Sequence, residues 1–174
     1  MKQNFEECLA LVLKEEGGYS NNPHDSGGAT NFGVTQKVYE MWVNHPVSIA
    51  DIKALTVAQV APIYRQEYWN KIRGDDLPSG VDYALMDYAV NSGVSRAAKE
   101  LQNILKVTAD GSIGPKTLLS VNSVNPVDII KKICDNRIAF LQGLSNWTIF
   151  GRGWGARVAR VANLATRMAS NEVV

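Results

Sequence analysis

The segment Asn4–Glu16 constrains this chain more than any other. In an α-helix each residue turns by about 100°. That rotation gathers Phe5, Cys8, Leu9, Val12 and Leu13 on one face and sends Glu7 and Lys14 to the opposite one. Glu16 falls in the middle of the apolar face, with Glu15 at its edge, and Gly17-Gly18 then end the helix. A carboxylate so placed is costly. Partial burial and the negative end of the helix dipole both disfavour its charged form. A chain shaped only by stability would carry Leu or Ala there, whereas a proton donor working near neutral pH suits a Glu. The plainer reading of Glu16 is a fraying last helical residue whose side chain reaches water.

The next stretch bears on that choice. Asp25 and Thr30 follow in a segment rich in Gly, Asn, Ser and Pro, which reads as loop, and Phe32-Gly33-Val34-Thr35 leaves room for one short strand in a hairpin. A helix-borne acid facing a loop-borne carboxylate and a hydroxyl is what glycoside hydrolysis requires. One carboxylic acid protonates the leaving oxygen, and a second carboxylate or a held water deals with the oxocarbenium-like centre. Read singly, Asp25 is a turn residue before Gly and Thr30 a strand residue.

Helical signals dominate the rest. Thr35 reads as the N-cap of a helix reaching Asn44, which His45-Pro46 breaks. Thr56 caps a helix over 57–71 that Pro62 kinks or delays. Further helices follow over 80–91, with Val81, Ala84, Leu85, Tyr88 and Ala89 inward, and over 95–106. Asn91, at a helix end, is placed to bond the last carbonyls. Pro115 opens another helix at its first position after an Asp110-Gly111 turn, with Ile113 plugging the core. Trp147, Phe150 and Trp154 stand among three glycines; they read as packing at a hinge between two helices, or as platforms for sugar rings. The expected fold is mainly α.

The 174 residues suit one continuous body, and no run nears the ~20 apolar residues of a membrane-spanning helix. The N-terminus does not read as a secretory signal peptide, so a wall-degrading role calls for a holin or another export route. Cys8 and Cys134 read as reduced core residues, and His24 and His45 form no metal-ligating cluster. No phosphate loop is present, and no cofactor is expected. Net charge is +1 but uneven: residues 1–125 carry net −3, and residues 126–174 carry seven Lys/Arg against three Asp/Glu. That basic end suits an anionic polymer. It lacks the motifs and the strength expected for nucleic acid.

Glu16-Gly17-Gly18-Tyr19, followed by Asp25-x-Gly27-Gly28-x-Thr30-Asn31-x-Gly33, resembles glycoside hydrolase family 108. These are N-acetylmuramidases frequent among phage and prophage endolysins. The resemblance implies a lysozyme-like fold with a short β-hairpin after the first helix, and Glu16 as catalytic acid. The Glu, Asp and Thr spacing is also similar to the triad of tailed-phage lysozymes, which have one more residue between Asp and Thr. By this resemblance Asp25 and Thr30 assist catalysis, and Tyr19, Asn31, Tyr88 and Asn91 contact the sugar, with Asp87 a weaker candidate for orienting a partner. Leu101-Gln102 with Asp110-Gly111-x-Ile113-Gly114-Pro115-x-Thr117 looks like small helical peptidoglycan-binding modules. It also reads as a helix–turn–helix connector of the main body.

The expected organisation is therefore a catalytic part over 1–93 and a helical peptidoglycan-binding-like part over 94–174 packed on it. The expected activity is cleavage between N-acetylmuramic acid and N-acetylglucosamine, with glycan strands as partner. The protein is expected to be made in the cytoplasm and to act on the wall after release. The alternatives are a lytic transglycosylase using Glu16 alone, or a non-catalytic wall-binding or secretion-helper protein.

Overall fold

The computed structural model describes residues 4–21 and 28–171. Among the described residues the chain is mainly helical, with one two-stranded antiparallel hairpin after the first helix. It divides into two compact units, one of residues 9–67 and one of residues 1–8 with 68–174.

The first unit opens with most of helix α1 (Asn4–Glu16). The apolar stripe is buried as its phasing requires: Leu9, Val12 and Leu13 are inside and Lys14 is exposed. Strands β1 (Thr30–Asn31) and β2 (Val34–Thr35) pair Thr30 with Thr35 and Asn31 with Val34. Phe32-Gly33, expected within a strand, is instead the two-residue turn. Both have positive φ, 51° and 72°, the pairing that matches the twist of a tight hairpin. Thr35 then caps α2 (Gln36–Val43), its hydroxyl accepting from Val38 N–H, and left-handed Asn44 ends the helix. A short helix that the sequence reading missed, α3 (Ile49–Lys53), is held by a capping box between Ser48 and Asp51. Helix α4 (Val57–Tyr64) runs through Pro62 and widens into a π-helical turn over Arg65–Trp69, so the proline loosens the helix without delaying its start.

The second unit is built round α5 (Val81–Ser92), whose residues from Val81 to Ala89 are all buried. It packs against α6 (Val94–Ile104), α8 (Pro126–Gln142) and α9 (Trp147–Ala169). Helix α7 (Pro115–Asn122) starts at Pro115, and Ile113 is buried beside it. Leu119 on α7 is 75% exposed. The three glycines near Trp147 mark no hinge: α9 passes through all of them, and the Trp147 ring lies over Gly151 one turn on. Cys8 and Cys134 are free and buried, and burial pushes the Cys134 thiol up to about 11, so both are inert core groups.

Two carboxylates are buried on α5. Asp87 accepts from Arg137 Nη1 at 2.6 Å and, through both oxygens, from the Nε and Nη2 of Arg157. This cluster ties α5 to α8 and α9. Two of the seven Lys/Arg of the basic end, Arg137 and Arg157, are thereby engaged by Asp87. Asp82 accepts from the backbone N–H groups of Gly80 and Tyr83 and from Asn4 Nδ2. Burial outweighs those bonds and raises its carboxyl to about 6. Among the described residues no helix is long and apolar enough to cross a membrane.

Candidate active site

The site grows from the way α1 stops. Gly17 has a φ of +80°, which ends the helix immediately after Glu16. The chain turns through Gly18 and Tyr19, and Ser20 then pairs with Thr30 through two backbone hydrogen bonds of 2.8 Å. A helix end is thereby laid beside a hairpin. The carboxyl of Glu16 lies over the hairpin turn, where Gly33 makes room for it. A Cβ on Gly33 would stand 3.2 Å from Glu16 Oε2 and 2.6 Å from the hydroxyl of Tyr64. That hydroxyl donates to Phe32 C=O at 2.8 Å and fixes the turn from α4. Glu16 is half-buried, set between a packed turn and solvent.

Thr30 lies on the same hairpin. Its Oγ1 is buried and has no hydrogen-bond partner among the described residues. An unsatisfied buried hydroxyl costs about 1–3 kcal/mol, and such groups call for an explanation. Tyr19 is 38% exposed, with Lys53 Nζ 5.8 Å from the centre of its ring. Asp25 and His24 lie outside the described residues.

Two expected sugar contacts have other work. Asn31 is buried and its Nδ2 donates to the carbonyls of Ile52 and Lys53, so it closes the end of α3 onto the hairpin. Tyr88, in the second unit, is 1% exposed with Arg137 stacked 5.1 Å from its ring centre, and it presents no surface to a sugar. Asn91 is exposed in that unit, beside Arg96, Phe140 and Trp154. Asp87 orients arginines, not substrate. The residues missed by sequence reasoning are Tyr64 and Gly33. Tyr64 lay in a helical stripe with nothing to mark its hydroxyl. Gly33 stood in the quoted motif, but its task depends on Glu16 lying over it.

Among the described residues no group of three or more His, Cys, Asp or Glu is gathered to hold a metal. The first unit offers, among the described residues, the Glu16 carboxyl at a helix end, the buried Thr30 hydroxyl and the exposed Tyr19 ring.

Residues 9–93 match the family model described as "Glycosyl hydrolase 108", and residues 96–159 match the one described as "Predicted Peptidoglycan domain". Among curated proteins no sequence matches this chain. A solved structure titled "Structure of Brucella abortus SagA" is 45% identical, covers 97% of this chain and 97% of that one, and superposes with a TM-score of 0.85. Fold and matches together define a lysozyme-like glycoside hydrolase that acts on peptidoglycan. The chain belongs to the glycosyl hydrolase 108 family and carries a peptidoglycan-binding-like segment at its C-terminal end.

Proposed function

We propose that the protein is an N-acetylmuramidase in which Glu16 is the general acid. The observation that carries this reading is the seat of Glu16: the last residue of α1, half-buried, its Oε2 directed over the side-chain-free Gly33. From such a position the protonated carboxyl gives its proton to the glycosidic oxygen as the bond from C1 of N-acetylmuramic acid breaks. The hydroxyl of N-acetylglucosamine leaves, and water adds at C1. In this reading Thr30 Oγ1 hydrogen-bonds that water or the sugar, Asp25 takes the water's proton, and Tyr19 offers a ring face to the glycan. The wall is the place of action, reached after release or export, and residues 94–174 contribute wall contact.

Digestion of purified peptidoglycan tests the reading, with the new ends identified by mass. Reducing muramic ends are expected. Anhydro-muramic ends would instead make the protein a lytic transglycosylase that needs Glu16 but not Asp25, and an intact wall would leave a binding protein. Glu16→Gln is expected to lower the rate at least about a hundredfold while the fold is kept. If Glu16→Gln works normally and Glu15→Gln does not, the proton donor is the neighbouring residue.

A further inference from the structure

Arg96 is in the first turn of α6, the place where the helix dipole disfavours a cation. It has a ready intrahelical partner one turn on in Glu100, but the two do not pair. Glu100 accepts from Asn136 Nδ2 at 2.6 Å. The guanidinium instead lies over the Phe140 ring, 4.1 Å from its centre, and has no carboxylate partner among the described residues. Contact with the ring face restrains the guanidinium without using up its N–H donors. Arg96 lines two adjoining hollows, which also share Ser92. One, of about 520 Å³, runs past Lys99 and the Asn136-bonded carboxylate of Glu100 to Asn103; the other, of about 240 Å³, ends at Trp154 and Asn91. Trp154 packs against Phe150 and Trp147, with ring centres 5.6 and 6.3 Å away. A preorganised guanidinium, a second cation, an aromatic face and an amide thus converge on one groove, all within one compact unit.

We propose that this groove is a subsite for a carboxylate-bearing N-acetylated sugar unit of peptidoglycan. Arg96 forks the carboxylate, Lys99 adds charge, Trp154 stacks on the pyranose and Asn91 bonds an acetamido or hydroxyl group. Two cations stand there against one carboxylate, Glu100, which already accepts from Asn136, and that balance favours an acidic glycan over a neutral one. The carboxylate has two sources in the wall: the free lactyl group of a muramic acid stripped of its peptide, or the acids of an attached stem peptide. The inference rests on the family's action on peptidoglycan and is independent of which residue is the acid.

The test measures binding of three probes to the full-length Glu16→Gln protein in the cold. The probes are muramic-acid-containing oligosaccharides freed of peptide, the same oligosaccharides with peptide stems, and oligomers of N-acetylglucosamine. At least one acidic probe is expected to bind about tenfold or more tighter than the neutral one, and the tighter of the two identifies the carboxylate's source. Arg96→Gln is expected to erase that preference, Arg96→Lys to keep part of it, and Trp154→Ala to weaken all three probes while the melting temperature stays near the parent's. Equal affinity for all three probes, or an unchanged preference in Arg96→Gln, overturns the proposal. Cleavage of the probes by the Glu16→Gln protein would be seen by mass, and it would count against Glu16 as the acid while leaving the affinities to decide the subsite.

Discussion

Gly33 shows most plainly how one residue is coupled to the chemistry. Its φ of +72° costs an L-residue roughly 1–2 kcal/mol, and a Cβ there meets both the Tyr64 hydroxyl and Glu16 Oε2. Gly33→Ala is therefore expected to lower the melting temperature modestly and the rate of wall digestion much more, because the crowded group is the proposed acid. Gly18→Ala is the control. A Cβ on Gly18 meets nothing within 4 Å and its φ is not in the left-handed region, so stability should stay within about 0.5 kcal/mol of the parent. Tyr64→Phe removes the hydrogen bond that anchors Phe32 C=O, and about 1 kcal/mol of stability with it. Lysis rates and melting curves of the three variants check these expectations. The turn itself was illegible in the sequence, because Phe-Gly is not among the residue pairs that announce a tight hairpin turn, and a phenylalanine at positive φ is rare. The phase of Glu16, by contrast, was legible, because a helical stripe is a local pattern that Phe5, Cys8, Leu9, Val12 and Leu13 state by themselves.

At the scale of elements, α5 carries the unit it belongs to, and its two buried carboxylates behave differently. The carboxyl of Asp82 is raised from 3.8 to about 6. Between those values the folded protein holds more protons than the unfolded chain, so this group's contribution is fully present below about pH 4 and is lost as pH rises through 6. Denaturant midpoints at pH 4.5 and 7.5 should therefore fall toward the higher pH in the parent, and less so in Asp82→Asn. Asp87 answers two arginines. Asp87→Ala leaves Arg137 buried without its counter-charge and is expected to cost on the order of 3–5 kcal/mol, read as a drop in denaturant midpoint. The α5 helix could be read from the sequence, as could the Thr35 cap and the start at Pro115, since each signal lies within a few residues. The ion cluster could not: Asp87 stands 50 and 70 residues from its partners, and nothing in composition links them. Tyr88 is a different case: helical periodicity placed it inward, where it lies under an arginine from α8, and only the family resemblance made it a groove residue.

For the whole molecule, the two family matches divide the chain after residue 93, whereas α5 and the helices that follow it lie in one compact unit. These divisions imply different behaviour on truncation. A fragment of residues 1–93 keeps Glu16, the hairpin and Tyr64 but loses α6, α8 and α9, against which α5 packs. Val81, Ala84, Leu85 and Tyr88 would then face water, and Asp87 would lose both arginines. A contiguous apolar surface of that kind drives aggregation, and so short a chain has little core in reserve. The 1–93 fragment is therefore expected to be insoluble or unfolded when expressed alone, not a weaker enzyme. Its solubility, its melting curve and its lysis of purified walls decide the matter. A soluble, active fragment with a cooperative melt would make residues 94–174 a dispensable binding module, and the Arg96 subsite would then tune affinity without supporting the fold.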